Sequence, residues 1–186
     1  MTAQLLADRL WPAADTRLAR NVALALFGSA LVAAAAQINI PMVPVPMTLQ
    51  TLAVLALGAA YGARLGAATL ALYALEGSLG LPVFAEFKSG VMLASFGYIL
   101  GFIAAAFVVG TLAERGWDKS IPKMFAAMLL GAAVLYIPGL AWLAVWVGSF
   151  ANALAWGLTP FIAGDLVKAA IAALGFPAVW ALLGRR

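Results

Sequence analysis

Long apolar segments with almost no charge recur along nearly the whole chain, and they constrain its fold more than any other feature. Of the 186 residues, 66% are hydrophobic and only 10% are charged. A soluble globular domain has about 45–50% apolar and about 25% charged residues. Because so little polar surface is available to cover a particle in water, the sequence predicts an integral membrane protein, with residues 1–186 as one transmembrane domain.

The apolar segments predict six membrane-spanning helices, since one span needs about 20 mostly apolar residues. These helices are expected at residues 21–38, 48–63, 65–80, 90–113, 122–144 and 159–184. The second and third are short and are expected to form a tight hairpin, while residues 145–158 are interpreted as an interfacial or loop helix. The predicted fold class is therefore all-α, with a six-helix bundle over residues 21–184 and an amphipathic cytoplasmic segment at residues 1–20.

The positions of the basic residues predict the orientation of this bundle. If the N-terminus is inside, nine of the 11 Lys and Arg residues lie on the cytoplasmic side: Arg9, Arg17, Arg20, Arg64, Arg115, Lys119, Lys123, Arg185 and Arg186. Cytoplasmic loops carry the excess of Lys and Arg in membrane proteins. The sequence therefore predicts a multi-pass protein of the inner (plasma) membrane with both termini inside.

The absence of two residue types excludes several kinds of chemistry. The chain contains no Cys and no His, so disulfides, thiolate or imidazole metal sites and Ser–His or Cys–His catalysis are excluded. No Lys follows a Gly, which excludes a P-loop. We expect no metal, no cofactor and no nucleic-acid partner. A membrane enzyme would have only Asp165, Glu76 or Glu86 as acid–base groups, so no enzymatic activity is expected.

Two opposite charges lie inside the last predicted span. Asp165 and Lys168 are three residues apart and therefore share one face of the helix, in the outer half of the membrane. A charge within a bilayer costs about 2.5–3.5 kcal/mol on insertion scales and is usually functional. The two residues form either a self-neutralising ion pair or a binding site, in which Asp165 accepts ligand N–H groups and Lys168 donates to a carbonyl or carboxylate. We favour the binding site.

Two predicted outer loops are expected to reach the level of this charged pair. The loop at residues 38–50 is apolar, and its three prolines favour an extended backbone. It is interpreted either as a lid over a cavity, with Thr48 and Gln50 hydrogen-bonding beneath it, or as a rigid connector packed on helix ends.

The second outer loop, at residues 80–90, carries Glu86 and Lys88. This pair is interpreted either as a solvated surface pair or as part of the site. Tyr73, Phe84 and Tyr98 either wall an apolar pocket or belong to the ordinary core.

Small residues recur at four-residue spacing in the first predicted span. Ala25, Ser29 and Ala33 form one such series, and Ala30 and Ala34 form another. Small residues at this spacing allow close approach between helices. We expect a docking surface for a partner membrane protein here, although an alanine-rich chain also produces such spacings by chance.

Four segments follow one another along nearly the whole chain: residues 44–62 (PVPMTLQTLAVLALGAAYG), 73–85 (YALEGSLGLPVFA), 97–102 (GYILGF) and 159–170 (TPFIAGDLVKAA). Together they resemble the BioY family of biotin-binding S-components of energy-coupling-factor (ECF) transporters. The resemblance implies a six-helix S-component that captures biotin from outside. It also implies that a transmembrane coupling subunit and two cytoplasmic ATPases drive its release inward.

The resemblance also assigns roles to individual residues. It implies that Asp165 and Lys168 match the ligand-contacting acid and base of the family, and that Ala25, Ser29 and Ala33 match its docking motif. The full set of candidate ligand-binding residues is Asp165, Lys168, Gln50, Thr48, Tyr73, Phe84, Glu86 and Tyr98.

The sequence departs from the family pattern in two places. Two alternative functions are also considered. The family usually has a glycine-rich run where this chain has residues 86–90, and Gly-Pro-Thr where it has residues 94–96. One alternative is a self-sufficient biotin carrier, as a monomer or homodimer, with Asp165 as its proton site. The other is an S-component for a different small vitamin.

Overall fold

The computed structural model describes residues 5–11 and 17–183, which are almost entirely helical. The helices are α1 (Leu6–Leu10), α2 (Arg17–Gln37), α3 (Gln50–Tyr61), α4 (Ala63–Ser78), α5 (Phe96–Ala113), α6 (Ile121–Val147), α7 (Phe150–Gly157) and α8 (Ile162–Leu183). Short 3-10 turns cover Ala85–Phe87, Trp117–Lys119 and Thr159–Phe161. The basic residues Arg185 and Arg186 and much of the predicted amphipathic segment, residues 1–4 and 12–16, lie outside the described residues.

Among the described residues, four helical segments are long and apolar enough to cross a membrane: Arg17–Gln37, Phe96–Ala113, Ile121–Val147 and the continuous run Phe150–Leu183. Helices α3 and α4, with 12 and 16 residues, are only about 18 and 24 Å long. A single residue separates them, Gly62, whose φ of 81° is readily adopted only by glycine. This arrangement is the tight, short hairpin that the sequence predicts.

The described residues are mostly helical, as predicted, and the loop predicted to be extended at residues 38–50 contains one short pair of strands. Strands β1 (Asn39–Ile40) and β2 (Met47–Thr48) pair antiparallel, with Asn39 opposite Thr48. Prolines lack the backbone N–H that a helix needs. The proline-rich loop therefore stays extended, and the residues on its two sides satisfy their backbone groups by pairing.

Several predicted helix boundaries also differ from the structure: α2 is already helical at Arg17 instead of residue 21, and α8 begins at Ile162 instead of residue 159. Helix α5 begins at Phe96 instead of residue 90, because residues 90–95 form an irregular approach to the bundle. Helix α6 continues to Val147, three residues beyond its predicted end, and stops at Gly148, which has a left-handed conformation. The helix expected within residues 145–158 is α7, and the Ser149 side chain accepts a hydrogen bond from Asn152 N at its start.

The core of the bundle is built around α5, which packs against α3, α4 and α6. Close approach to α4 depends on Gly110, since a Cβ atom there would lie 2.4 Å from the backbone nitrogen of Ala63. At the same place Glu114 Oε1 accepts a hydrogen bond of 2.9 Å from Ala63 N. The carboxylate thereby satisfies one of the free N–H groups at the start of α4.

The bundle has two different ends. At one end lie the β-hairpin and the loops that follow α4 and α7; we call this the hairpin end. At the other, which we call the basic end, lie α1, the Gly62 turn, the Trp117–Lys119 turn and the last residues of α8. Arg9 Nη2 donates to Leu183 O at 3.4 Å, so the first and last described helices meet at the basic end.

A buried carboxylate attaches α8 to the turn between α5 and α6. Asp118 is fully buried, and its Oδ2 accepts a hydrogen bond of 2.5 Å from Trp180 Nε1. Lys119 Nζ lies 4.3 Å from the centroid of the Trp180 ring, a cation–π contact. Asp118 Oδ1 has no hydrogen-bond partner among the described residues. Loss of solvation raises the pKa of the Asp118 carboxyl above its ordinary value of 3.8, partly offset by the Trp180 hydrogen bond and the Lys119 charge.

We therefore predict that Asp118→Asn stabilises the protein at neutral pH. The folded protein binds this proton more tightly than the unfolded chain does, so the ionised carboxylate lowers stability as the pH rises above 3.8. The asparagine oxygen still accepts from Trp180 and carries no charge. Thermal unfolding should show a higher melting temperature than wild type at pH 7 and a smaller gain near pH 4. An equal gain at both pH values would contradict this prediction, and Glu86→Gln, at an exposed carboxylate, is the control.

Candidate functional site

A mostly apolar cavity lies at the hairpin end, between α3, α5, α6 and the loops. It encloses about 530 Å³, including its open mouth. The residues that line it are Val45, Pro46, Thr48, Gln50, Thr51, Phe84, Ala85, Ser95, Tyr98, Ile99, Phe102, Leu135, Tyr136 and Phe161. Because Val45 and Pro46 come from the loop between β1 and β2, this loop forms part of the cavity wall. The cavity is concave and apolar with a few polar groups, as is usual for small-molecule sites.

The two intramembrane charges point into the bundle beside this cavity. Asp165 and Lys168 are each 9% exposed, and Lys168 Nζ lies 3.1 Å from Asp165 Oδ1. Tyr136 Oη donates to Asp165 Oδ2 at 2.5 Å, and Lys168 Nζ donates to Thr51 Oγ1 at 2.9 Å. Both charges are therefore hydrogen-bonded as well as paired, which offsets part of the cost of burying them.

The charged pair is connected to the cavity through its hydrogen-bond partners. A smaller void of about 190 Å³ lies against Asp165 and Lys168, and Thr51 lines both this void and the main cavity. Tyr136, the partner of Asp165, lines the main cavity as well. The hydroxyl groups of Thr51 and Tyr136 therefore lie between the main cavity and the two charges.

A second polar group is held in the cavity wall by a buried tyrosine. Gln50 Nε2 donates to Tyr73 Oη at 2.7 Å, and Tyr73 Oη donates to Val83 O at 3.0 Å. Thr48 Oγ1 donates to Gln50 Oε1 at 3.1 Å. Tyr73 is completely buried and does not line the cavity, so it lies behind the candidate residues Thr48 and Gln50 and orients the second of them.

Aromatic rings form much of the remaining wall. The Phe84 ring is edge-to-face with Tyr73, with centroids 5.4 Å apart, and the Tyr98 ring is edge-to-face with Tyr136 at 6.0 Å. Tyr98 Oη donates to Gly157 O at 2.9 Å, which ties α5 to the end of α7. Both Phe84 and Tyr98 line the cavity.

Glu86 is the one candidate ligand-binding residue that lies on the surface. Its carboxylate pairs with Lys88 and lines none of the described cavities near the charged pair. Glu86 and Phe87 have φ values of 60° and 57°, in the left-handed region that glycine adopts at little cost. The glycine-rich run that the family usually has here matches this backbone conformation.

Three residues at the site were not singled out from the sequence. Tyr136 is the only hydroxyl-bearing residue in the predicted span 122–144, and Thr51 belongs to the PMTLQT segment; both features could have marked them. Gln37 ends α2, and its Nε2 donates to Phe84 O at 3.0 Å while its Oε1 accepts from Phe87 N at 3.1 Å. No sequence signal identifies Gln37 as the residue that hydrogen-bonds the loop at residues 80–90, because its partners in that loop are about 50 residues away along the chain.

The small residues expected to dock a partner lie partly inside the bundle. Ser29 is 1% exposed and donates a hydrogen bond to Glu76 of α4. Ala25 and Ala33 are half-buried. The second series, Ala30 and Ala34, is exposed on α2.

The sequence of residues 4–185 matches the model of the BioY family. The chain belongs to the BioY family. It is 38% identical over 149 residues to the "Biotin transporter BioY" of Thermotoga maritima, covering 78% of this chain and 87% of that protein. It is also 38% identical over 159 residues to the "Probable biotin transporter BioY" of Pyrococcus horikoshii, covering 84% of this chain and 93% of that protein.

The fold of this BioY-family chain is that of a solved S-component. The similar structure is the crystal structure of the S-component for biotin from an ECF-type ABC transporter. The match has a TM-score of 0.77 and covers 91% of this chain and 95% of that one, at 20% sequence identity. With four apolar helical segments long enough to cross a bilayer, the chain is a multi-pass membrane protein.

Proposed function

We propose that this BioY-family protein is a biotin-binding membrane subunit that captures biotin from outside for uptake by an ECF transporter. The single observation that carries this proposal is the buried Asp165–Lys168 pair, which is joined by Thr51 and Tyr136 to an apolar cavity at the hairpin end. The biotin transporter names of its relatives and the S-component fold agree with it.

The chemistry of biotin fits this arrangement. Its ureido ring offers two N–H donors and one carbonyl, its thiophane ring and alkyl chain are apolar, and its tail is a carboxylate. Asp165 can accept from an N–H group, Lys168 can donate to a carbonyl or carboxylate, and Thr48 and Gln50 offer further polar contacts. Phe84, Tyr98 and the aliphatic side chains enclose the apolar part. Tyr73 acts by holding Gln50, and Glu86 lies outside this set.

The proposal includes six membrane crossings with both termini inside, within one domain of residues 1–186. Helices α6 and α8 both run between the two ends of the bundle, so α7 stays at the hairpin end and adds no crossing. The contact between Arg9 and Leu183 O puts the first and last described helices at the same end, which agrees with an even number of crossings. Because the basic residues of the loops cluster at that end, it faces the cytoplasm, and the membrane is the inner (plasma) membrane.

The most direct test is a titration of the purified chain with biotin and with lipoate. Lipoate carries the same valerate chain as biotin but has no ureido ring. We expect saturable binding of biotin and much weaker binding of lipoate, because the buried polar partners of the ureido ring would stay unpaired. Equal affinity for the two vitamins, or no binding of biotin, would overturn the assignment.

The proposed partners are a transmembrane coupling subunit and two cytoplasmic ATPases, as the S-component fold suggests. The alternative is that the chain transports biotin alone, as a monomer or a homodimer. Biotin uptake by cells that lack every coupling ATPase would favour the self-sufficient carrier. Strict dependence of uptake on the ATPases would eliminate it.

We predict that bulky residues on the small-residue face of α2 prevent assembly with the coupling subunit and leave biotin affinity unchanged. The first variant is Ala25→Leu/Ala33→Leu, and the second is Ala30→Leu/Ala34→Leu on the exposed side of the same helix. Leucine blocks the close helix approach that small residues permit. Copurification with the coupling subunit is the measurement, and Ala133→Leu, at an exposed position of α6, is the matched control. Full copurification of both double variants would exclude α2 as the docking helix.

A further inference from the structure

A second concave site lies at the basic end, opposite the biotin cavity. It is a wide crevice between α1, α2, α4 and α5 that encloses about 1500 Å³, including its open mouth. Three arginines line it: Arg17 and Arg20 from the first turns of α2, and Arg64 from the first turn of α4. The proposed biotin site uses none of these residues.

The two carboxylates in the crevice already have partners. Asp8 Oδ1 pairs with Arg20 Nη2 at 2.6 Å, and Glu114 Oε1 accepts the backbone N–H of Ala63 at the positive end of α4. Within residues 5–11 and 17–183, neither Arg17 nor Arg64 forms an ion pair. With three guanidinium groups and two carboxylates among its lining residues, the crevice carries a net positive charge.

The most buried of the three arginines has an unused donor. The Arg20 side chain is only 11% exposed, because Asp8 and the walls of the crevice cover it. Its Nε atom is buried and has no acceptor among the described residues. A buried N–H group without an acceptor is costly, so an anionic oxygen in the crevice would stabilise this arginine.

Apolar side chains also line the crevice. They are Phe107 of α5, which is 50% exposed, Leu65 of α4 and Leu5. A site lined by both guanidinium groups and hydrocarbon matches a molecule with an anionic head and an acyl chain. Basic pockets between transmembrane helices on the cytoplasmic side bind the head groups of anionic lipids.

We propose that this crevice binds an anionic phospholipid of the cytoplasmic leaflet. The lipid phosphate contacts Arg17 and Arg64 and draws the Arg20 side chain toward the crevice, so that its Nε gains an acceptor, and an acyl chain lies along Phe107 and Leu65. The inner-leaflet assignment rests on the proposed orientation. The lipid would join α1 to the ends of α2, α4 and α5 and so hold the N-terminal helix against the bundle.

Native mass spectrometry of the purified full chain tests this proposal with phosphatidylglycerol and phosphatidylcholine as probes. We expect the wild-type chain to retain phosphatidylglycerol preferentially, and Arg17→Gln/Arg64→Gln to reduce that preference by about tenfold or more, since each basic group near an anionic lipid contributes a several-fold factor. The matched control is Arg115→Gln/Lys123→Gln, which removes two exposed charges at the same end but outside the crevice and should retain the preference.

Several results would overturn the proposal. An unchanged preference in the Arg17/Arg64 variant would mean that the crevice does not bind the head group, and an equal loss in the control would mean unspecific attraction to surface charge. Retention of soluble glycerol 3-phosphate in place of lipid would identify a phosphate site. Unchanged lipid binding with loss of the coupling subunit would identify a protein contact.

The variant Arg17→Lys/Arg64→Lys keeps both charges and should keep the lipid preference. If it does, the loss in Arg17→Gln/Arg64→Gln comes from the removed charges and not from misfolding. None of these measurements depends on biotin, so failure of the lipid proposal and failure of the biotin assignment remain separate outcomes.

Discussion

Lys168→Met is expected to lower the affinity of the purified chain for biotin by about 100-fold or more. Removing a charged group that makes a buried, hydrogen-bonded contact with its binding partner costs about 2–5 kcal/mol of binding free energy. The variant loses a donor to the ligand and leaves the Asp165 carboxylate, 9% exposed, with Tyr136 as its remaining side-chain partner. Equilibrium titration with biotin measures the change. Asp165→Asn should weaken binding for the complementary reason, since its amide no longer offers a full negative charge to the ureido N–H groups.

Two further variants distinguish the loss of a ligand contact from misfolding of the protein. Lys88→Met removes the basic member of the exposed Glu86–Lys88 pair at the same end of the bundle and should bind biotin normally. The double variant Asp165→Asn/Lys168→Met leaves no unpaired charge, so its melting temperature should recover relative to Lys168→Met while biotin affinity stays low. Wild-type affinity in Lys168→Met or in the double variant would refute the role of the pair.

The sequence predicts the positions of the two charges well because the bilayer makes their location costly. A charge in an apolar helix either points inward or pays for exposure to lipid, and the i, i+3 spacing puts both on one face. The sequence does not predict which side chains form hydrogen bonds with these two charges. Tyr136 and Thr51 come from α6 and α3, and only packing of these helices against α8 brings them to Asp165 and Lys168.

The loops are the parts of the fold that the sequence predicts least well. Three prolines predict an extended connection over residues 38–50, but the pairing of β1 with β2 depends on where the loop turns back. The start of α5 at Phe96 instead of residue 90 also depends on a tertiary contact. Residues 90–95 are apolar enough to continue a span, but Gly90 N donates to Gly77 O at 2.8 Å, and this tertiary contact holds the segment in the loop.

The small-residue face of α2 shows why spacing alone does not reveal which neighbour a helix meets. Ala25, Ser29 and Ala33 have the spacing of a close helix contact, and in this chain part of that contact is made with α4. The hydrogen bond from Ser29 to Glu76 uses a polar group that the sequence offers equally to an external partner.

Contacts from α2 and α4 converge on the loop that carries Phe84. Gln37 of α2 holds the carbonyl of Phe84, and Tyr73 of α4 holds the carbonyl of Val83. The Phe84 ring is 1% exposed and rests on Gly77 of α4. A change at Gly77 therefore tests whether the position of this aromatic wall decides ligand binding.

Gly77→Ala is expected to lower biotin affinity by about tenfold or more, since forcing extra volume into a packed core costs about 1–3 kcal/mol. A Cβ atom at residue 77 would lie 2.0 Å from Phe84 Cζ, so the ring must move. Tyr73, which is completely buried beside it, limits movement on that side, and the ring shifts toward the cavity. Titration with biotin measures the loss.

Gly175→Ala is the matched control, because Gly175 lies in α8 and a Cβ atom there has no neighbour within 4 Å in the part of the chain that the structure describes. Both substitutions remove the entropic cost of a helical glycine, about 0.5–1 kcal/mol, so only the clash with Phe84 distinguishes them. In the Gly77→Ala background, Phe84→Leu should raise the melting temperature, whereas the same change in the wild type should lower it. If Gly77→Ala binds biotin as tightly as Gly175→Ala, the Phe84 ring does not form the wall against which the vitamin packs.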